Sequence, residues 1–189
     1  PIIGGDTNTW DGPLTISVTI FGEPGPGGIV RRNGCREGDW LLVTGALGGS
    51  IRGKHLEFTP RVREALFLAG NFSLHGMIDI SDGLASDLHK LCQESGCGAT
   101  LWEDSIPITP EAQAMGNAVS PLDHALGDGE DYELLFSLPE KEARKLLQSQ
   151  PIPGLTLHGI GQCIAGGIWL EKEGRRLPLP PRGWVHAME

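Results

Sequence analysis

One stretch constrains the fold of this chain more than any other: residues 76–91, with the sequence GMIDISDGLASDLHKL. A short apolar run, Met77 to Ile80, predicts a buried strand. Ser81 stands where a helix N-cap is expected, so Asp79 ends the strand and Asp82 opens a helix. The apolar residues that follow recur at helical spacing and define one helix face: Leu84, Ala85, Leu88, Leu91 and Cys92. The stretch therefore predicts a strand that turns directly into a helix.

This strand-to-helix corner brings two carboxylates and a hydroxyl close to the backbone N–H groups of a helix N-terminus. A helix N-terminus attracts phosphate, but carboxylates repel phosphate unless a cation lies between them. Mg²⁺ prefers one or two carboxylates together with phosphate oxygens of a substrate. Asp79, Ser81 and Asp82 therefore suggest a metal–phosphate site. The alternative is that Asp79 only ends a strand while the other two residues cap a helix.

The composition is that of an ordinary globular protein with one or two domains. The 189 residues are 39% hydrophobic and 21% charged, and no stretch approaches the roughly 20 apolar residues of a membrane span. The net charge of −9 argues against non-specific nucleic-acid binding, so neither nucleic acid nor membrane is expected as a partner. The four cysteines lack CxxC spacing, which favours free thiols over zinc. Without an initial Met or a signal sequence, the chain is expected to be a cytoplasmic fragment or a processed chain.

Strand and helix patterns are interspersed along the rest of the sequence. Alternating apolar residues predict a half-buried strand from Leu14 to Phe21, and the glycine- and proline-rich segment 22–28 is the best candidate for a domain boundary. A helix is predicted to start at Thr59 and Pro60, with Gly70 as its stop. The remaining predicted elements are strands at 39–44, 132–138 and 155–160, a strand or loop at 99–108, helices at 110–118 and 139–148, and a hairpin at 168–179. This pattern favours an α+β fold, with a mixed sheet flanked by helices, over a regular doubly wound fold.

A glycine-rich turn at residues 45–50 (GALGGS) follows the predicted strand 39–44, where backbone N–H groups can bind phosphate. The segment from Gly48 to Lys54 imitates a Walker A loop. The next position of that loop requires Ser or Thr to bind Mg²⁺, and here it is His55. A true P-loop is therefore not predicted.

Three acidic segments each lie beside glycine and next to a predicted strand: Asp6, Asp79 with Asp82, and Asp128 to Asp131. Together they indicate a multi-carboxylate metal site, because glycine lets the backbone approach a ligand closely. Arg32 is a candidate partner for a nucleotide phosphate, with a solvated surface arginine as the alternative. Trp184 is a candidate stacking surface for a flat ligand, with a packed tail as the alternative. No GxSxG or local Cys–His signature indicates a covalent nucleophile.

In combination, five segments resemble the thiamine-monophosphate kinase family and occur in that family's order: Gly4 to Thr7, Val43 to Gly48, Thr59 to Arg61, Ile78 to Leu84, and Gly129 to Phe136. The Ser-Asp-Gly-Leu and Gly-Glu-Asp-Tyr-Glu-Leu segments are specific, whereas the glycine turn alone is weak. The family belongs to the ATP-binding superfamily that includes aminoimidazole ribonucleotide synthetase. The resemblance implies ATP- and Mg²⁺-dependent phosphorylation of thiamine monophosphate to thiamine diphosphate by a homodimeric parent protein.

The resemblance also implies roles for individual residues. Three carboxylates match metal ligands: Asp6, Asp79 and Asp82. Four residues match ATP contacts: Gly5, Asp6, Arg32 and Ser81. Glu130 and Trp184 match contacts to the substrate, although the family's tail usually has a different aromatic pattern.

Departures from the family pattern lie mostly towards the start of the chain. Gly49 stands where the family usually has Asp, and Thr7-Asn8-Thr9 replaces the usual Thr-Thr-Arg. The Gly-Asp-Asp motif of the family's amino-terminal half does not precede Pro1. We therefore expect residues 1–24 to be the last strands of an ATP-binding domain and residues 25–189 to be a complete carboxy-terminal α+β domain. With so few metal ligands, this chain alone is expected to be inactive.

Two other interpretations remain open at the level of sequence. The first is another member of the same superfamily, such as a selenophosphate synthetase or a hydrogenase-maturation protein, which would lack the Gly-Glu-Asp-Tyr-Glu-Leu segment. The second is a non-catalytic binding domain that retains the fold. Loss of activity on substitution of Asp82 or Glu130 in the full-length protein would separate an enzyme from a binding domain.

Overall fold

The computed structural model describes residues 2–184, and within them seven strands form one mixed sheet. The strands are β1 (Asp39–Thr44), β2 (Gly76–Asp79), β3 (Gly98–Trp102), β4 (Leu134–Pro139), β5 (Leu157–Ile164), β6 (Ile168–Lys172) and β7 (Arg175–Pro178). Their order across the sheet is β2-β4-β1-β5-β3-β6-β7. The β3–β6 pair is parallel and every other neighbouring pair is antiparallel.

Six α-helices accompany the sheet in the described residues: α1 (Lys54–Glu57), α2 (Val62–Asn71), α3 (Leu84–Ser95), α4 (Pro110–Gln113), α5 (Pro121–Gly127) and α6 (Glu140–Ser149). Short 3₁₀ turns occupy 50–52 and 103–105. None of the helices in this part of the chain is long and apolar enough to cross a membrane. The predicted α+β fold, a mixed sheet flanked by helices, is therefore confirmed.

Two apolar clusters, one rich in α3 and α5 side chains and one in α2 and α6 side chains, explain why the central strand β1 is apolar from Trp40 to Val43. Leu41 and Val43 belong to the first cluster, with the α3 stripe and residues of α5. Leu42 belongs to the second cluster, with Leu68 of α2 and Leu146 of α6. Successive strand side chains point to opposite faces, so a strand covered on both faces has no polar alternation.

The α3 stripe is buried as the sequence predicts, and Gly96 ends the helix in a left-handed conformation. The start of α3 differs from the prediction. Helix α3 begins at Leu84 with Gly83 at the N-cap, two residues after the predicted cap at Ser81. Gly83 has a φ of 111°, which only glycine adopts without strain. The chain therefore makes one further turn between the strand and the helix, and Asp82 lies in that turn.

The predicted strand from Leu14 to Phe21 is wrong in this structure. These residues form no regular secondary structure, and the apolar side chains at 14, 16, 18 and 20 are 77–89% exposed. A strand requires a neighbour for its backbone N–H and C=O groups, and no described residue pairs with this segment.

The predicted bounds of helix α2 are also wrong by one to two residues. The N-cap is Arg61 rather than Thr59, and the helix continues through Gly70 to Asn71. Arg61 is held by an ion pair to Glu133 and has a non-helical ψ of 38°, so regular helix starts only after it.

Candidate active site

The corner after β2 is organised by a carboxylate from inside helix α3. Asp87 is 1% exposed and accepts hydrogen bonds from the backbone N–H groups of Ser81 and Asp82, both at 2.9 Å. It thereby does for the corner what an N-cap side chain does for a helix. Lys90 donates to Asp87 at 2.8 Å and also contacts Asp82. Asp82 and Ser81 are consequently fixed by contacts that leave their side chains at the surface of a cleft.

The acidic turn after α5 packs against this corner through backbone hydrogen bonds. Glu130 N–H donates to the Ser81 carbonyl at 2.8 Å, and Tyr132 N–H donates to the Ile80 carbonyl at 2.8 Å. Both donors have left-handed backbones, with φ values of 63° and 52°. Non-glycine residues rarely adopt this conformation, and such residues cluster at functional sites. The turn is therefore held in a specific, strained shape next to Ser81.

Side chains of the acidic turn alternate between the cleft and the interior. Glu130 is exposed and Tyr132 is half-buried, and both line the cleft. Asp131 and Glu133 are 0% and 2% exposed and point into the protein. The acidic turn therefore provides two kinds of carboxylate, one available to a ligand and one built into the structure.

The side-chain carboxylates of Asp131 and Asp128 accept hydrogen bonds from the backbone of the glycine-rich turn at residues 45–50. Gly48 N–H donates to Asp131 at 2.8 Å, and Gly49 N–H donates to Asp128 at 2.7 Å. Two backbone N–H groups that a phosphate would need are thus already bonded. Burial raises the pKa of Asp131 to about 6, although its hydrogen bond from Gly48 and the nearby Lys54 work in the opposite direction.

Glu133 is the other inward carboxylate, and it is surrounded by donors. Arg61 binds it in a bidentate arrangement at 2.8 and 2.9 Å, Lys54 lies at 2.9 Å, and the Thr44 hydroxyl donates at 2.7 Å. Burial opposes the ionisation of Glu133, but these partners lower its pKa below the ordinary value. Lys54, the lysine of the apparent Walker A pattern, is therefore engaged with an internal carboxylate and with the Ala46 carbonyl of the glycine-rich turn.

A cleft of about 700 Å³ lies between the corner and the acidic turn. Five of its lining residues carry chemistry relevant to a ligand: Ser81, Asp82, Glu130, Tyr132 and Trp184. Trp184 is 67% exposed, and its backbone N–H donates to the Asp82 carbonyl at 3.0 Å. Arg182 contacts Asp123 of α5, which fixes the tail beside the cleft. Four of the residues that the sequence assigns to ATP, metal or substrate are thus brought together.

The other predicted site residues do not line the cleft. Arg32 pairs with Glu94 at 3.5 Å on the surface and does not line the cleft. Gly5 and Asp6 belong to the exposed segment before residue 25. Asp79 is exposed at the end of β2. The pKa of Tyr132 is raised mainly by burial, and the negative charges of Glu130 and Asp79 raise it further.

Two cleft residues, Tyr132 and Ser50, are missing from the sequence-based set. Ser50 donates to the Gly129 carbonyl at 2.6 Å, and Tyr132 stacks on Phe58 with ring centroids 4.0 Å apart. Tyr132 lies inside the Gly-Glu-Asp-Tyr-Glu-Leu segment, so that motif contained the signal. No comparable signal marks Ser50.

The corner fits a Mg²⁺ ion only in part. Asp79 and Asp82 offer two carboxylates, the number that Mg²⁺ often takes from a protein when phosphates supply other ligands. Across residues 2–184, however, no group of three or more His, Cys, Asp or Glu side chains is placed to hold a metal ion. A metal at this corner therefore needs ligands from the phosphates or from outside the described residues.

Comparison with known proteins gives the class of the chain first. The family model for AIR synthase related protein, C-terminal domain, matches residues 36–168. The chain belongs to this family. The match covers the sheet from the residues before β1 to the start of β6, together with the corner and the acidic turn.

Within that family, the chain is similar to thiamine-monophosphate kinases. It is 39% identical to the enzyme of Rhodopirellula baltica over 190 residues, which is 98% of this chain and 59% of the relative. Thiamine monophosphate kinase from Aquifex aeolicus superposes with a TM-score of 0.64 at 27% identity, over 79% of this chain and 55% of that one. The resemblance predicted from the motifs is confirmed, and the chain spans about 60% of the length of that curated relative.

Two further solved structures bear on ligands and on the fold. AaThiL complexed with AMPPCP and TMP superposes with a TM-score of 0.58 at 28% identity, over 83% of this chain and 54% of that one. Escherichia coli HypE, a hydrogenase maturation protein, superposes with a TM-score of 0.63 at 21% identity, over 82% of this chain and 54% of its own. At that identity the likeness to HypE concerns the fold alone.

Proposed function

We propose that the protein to which this chain belongs phosphorylates thiamine monophosphate to thiamine diphosphate, with ATP and Mg²⁺, and that the chain is its carboxy-terminal portion. The observation that carries the proposal is the cleft, where Ser81 and Asp82 of one motif meet Glu130 of another motif about 50 residues later. The similarity to thiamine-monophosphate kinases supports the same activity. ATP as co-substrate is supported by the related complex that holds AMPPCP and TMP.

The substrate end of the cleft suits a flat cation. Trp184 offers an exposed ring, and Glu130 offers an exposed carboxylate. Thiamine monophosphate combines an aminopyrimidine with a positively charged thiazolium, and both an aromatic face and a carboxylate attract such a ring. We assign Glu130 and Trp184 to the substrate on this basis.

The phosphate end of the proposed site is the corner. Ser81 would contact ATP, and Asp79 and Asp82 would hold Mg²⁺ together with phosphate oxygens. When bound, the ion would neutralise charge on the transferring phosphoryl group. Lys90 and Asp87 keep the Asp82 segment in place at the mouth of the cleft. Gly5, Asp6 and Arg32 are also proposed to contact ATP, with Asp6 as a third metal ligand, but the family resemblance alone supports these three.

The residues of this chain need to align the reactants rather than provide a base or a nucleophile. A phosphate monoester is already a competent nucleophile near neutral pH, so no side-chain base is required. Phosphoryl transfer depends mainly on alignment and electrostatics, which the fixed corner and the fixed acidic turn provide. We further propose a cytoplasmic, homodimeric parent that binds neither nucleic acid nor membranes. The net charge of −9 supports the absence of nucleic-acid binding, and the family resemblance supports the homodimer.

The test is formation of thiamine diphosphate from ATP and thiamine monophosphate by the full-length protein, with the 189-residue chain assayed beside it. We expect activity in the full-length protein only. Asp82→Ala is expected to lower kcat by about 100-fold, the order seen when a group that stabilises transition-state charge is removed. Glu130→Gln is expected to raise KM for thiamine monophosphate by about tenfold.

Asp104→Asn is the matched control for these variants, because Asp104 is an exposed carboxylate that does not line the cleft. It should leave kcat and KM unchanged. Full activity in Asp82→Ala would refute the metal assignment, and turnover by the 189-residue chain would refute its expected inactivity. No activity in the full-length protein at saturating ATP and Mg²⁺ would favour a non-catalytic binding domain or another phosphate acceptor.

A further inference from the structure

We propose that Glu133 is a positioning residue for substrate binding: its buried carboxylate, clamped by Thr44, Lys54 and Arg61, holds the acidic turn so that Glu130 and Tyr132 face the cleft. The inference rests on the proposed function for the identity of the ligand. It adds a residue that touches no ligand and acts through its neighbours.

The first support is the number and quality of the contacts to Glu133. The Arg61 guanidinium provides two parallel hydrogen bonds, Lys54 a charged contact at 2.9 Å and Thr44 a hydroxyl at 2.7 Å. Thr44 in turn accepts the Leu134 N–H at 2.7 Å, so the cluster is tied to the start of β4. A buried bidentate pair with additional donors is a rigid arrangement, because each partner restricts the others.

The second support is that the clamp lies next to backbone that needs restraint. Glu130 and Tyr132 both have left-handed φ values, a conformation that persists only where the surroundings impose it. Glu133 directly follows Tyr132, and its carbonyl accepts the Ile80 N–H at 2.8 Å. Glu133 therefore joins the end of the strained turn to the segment after β2 through its backbone, while the clamp holds its side chain.

The third support is the segment before α2, where Phe58 packs against Tyr132 and Arg61 binds Glu133. Phe58 stacks on the Tyr132 ring with an interplanar angle of 29°, and Arg61 is only three residues further along. Tyr132 forms part of the wall of the cleft and also lines a smaller cavity of about 230 Å³ beside Phe58 and Arg61. Loss of the Arg61–Glu133 pair would let both the turn and the Phe58 segment relax away from the cleft.

The corner has a second anchor that is separate from this clamp, because Asp87 accepts hydrogen bonds from the N–H groups of Ser81 and Asp82. A weakened clamp should consequently affect the substrate end of the cleft more than the ATP end. This asymmetry separates positioning from a general loss of stability, which would lower the active fraction, and hence kcat, without changing the ratio of the two KM values.

The experiment compares Glu133→Gln, Arg61→Lys and Glu103→Gln with the wild type in the full-length protein. Glu103 is a matched control because its carboxylate pairs with Lys172 at 2.7 Å and does not line the cleft. Arg61→Lys keeps the charge but loses the bidentate geometry, so it provides a folded variant if Glu133→Gln does not fold. The readouts are amide hydrogen exchange at Glu130 and Tyr132, and KM for thiamine monophosphate and for ATP.

We expect exchange at the two amides to accelerate at least about tenfold in Glu133→Gln, and by a smaller factor in Arg61→Lys. KM for thiamine monophosphate should rise about tenfold while KM for ATP changes less than about threefold. Glu103→Gln should match the wild type. Unchanged exchange, or an equal change of both KM values, would overturn the proposal.

Failure of the proposed function would be recognised separately, because a wild type without kinase activity refutes the function whatever the variants do. The exchange measurement would still decide whether Glu133 fixes the turn, since it requires no turnover. Protection that stays intact at Glu130 and Tyr132 in both clamp variants would then reject the positioning role itself.

Discussion

Among the described carboxylates, Asp131 has the environment that most opposes its own charge. Its side chain is buried, and one carboxylate oxygen, Oδ1, has no hydrogen-bond partner in the described structure. The charged groups that face it are the Lys54 ammonium at 3.6 Å and the carboxylates of Asp128 and Glu133. Burial raises its pKa from the ordinary 3.8 to about 6, so between these two pH values the folded protein holds a proton that the unfolded chain releases.

This proton predicts a pH dependence of stability. Because the folded pKa exceeds the unfolded one, the contribution of Asp131 is complete below pH 4 and is lost as the pH rises to about 6. In Asp131→Asn, which keeps an oxygen for the Gly48 N–H, we expect that part of the decline to disappear. The free energy of unfolding of both proteins is measured by urea titration between pH 4 and 7. The difference between the wild type and the variant should change by about 2 kcal/mol from one end of this range to the other.

Asp104→Asn, at an exposed carboxylate, should keep the wild-type slope. Parallel curves for the wild type and Asp131→Asn would contradict the assignment. Glu133, whose pKa is lowered against the effect of burial, mainly by its hydrogen bond from Arg61, is present in both proteins, so its own pH dependence cancels in the difference between the two curves.

Secondary-structure elements whose apolar residues recur at regular spacing could be predicted from the sequence. Features that depend on contacts with residues further along the chain could not. The α3 stripe and the apolar run of β1 follow directly from spacing and burial. Helix α5 was missed, although Ser120 and Pro121 at its N-cap and first position are a readable start signal. The start of α3 was misplaced because Asp87, six residues beyond Ser81, binds the corner. No local pattern reveals such a contact.

The candidate site was predictable in the same uneven way. Motifs identified Ser81, Asp82 and Glu130, and the fold brings them to one cleft. The sequence did not predict which carboxylates of the acidic turn face the cleft and which face the interior. The left-handed backbone conformations of residues 130 and 132 determine these directions. Glycine would have signalled such a conformation, whereas Glu and Tyr do not.

Strand β5 contains a glycine whose position is fixed by sheet packing. A Cβ on Gly161 would lie 2.2 Å from the Thr100 carbonyl oxygen and 3.0 Å from the Leu101 Cα, both on the neighbouring strand β3. Backbone atoms in mid-sheet have little room to move, so Gly161→Ala should lower the free energy of unfolding by about 2–4 kcal/mol. Urea unfolding followed by circular dichroism measures this.

Gly166→Ala is the paired control, since a Cβ there meets nothing within 4 Å. It should change the free energy of unfolding by less than about 0.5 kcal/mol. Equal effects at the two glycines would mean that β3 and β5 are not packed as closely as described.

At the scale of the whole molecule, the chain divides into an exposed leading segment and a cored remainder. Every described residue before Gly25 is exposed, and the side-chain hydrogen bonds found there join residues within two positions of each other. Gly25 lies against Leu66 of α2, and Cys35 is already part of the core. The boundary predicted near residue 24 therefore remains a prediction that a deletion can test.

Removal of residues 1–24 should leave the free energy of unfolding within about 0.5 kcal/mol of that of the whole chain, because no buried surface is lost. It should also reduce self-association in sedimentation experiments, because the exposed side chains of Leu14, Ile16, Val18 and Ile20 are removed. Removal of residues 1–36 should instead destabilise the chain by about 2 kcal/mol or more, because it takes Cys35 out of the core. If both deletions were equally costly, the segment before residue 25 would belong to the folded unit, and the domain boundary would have to move towards the start of the chain.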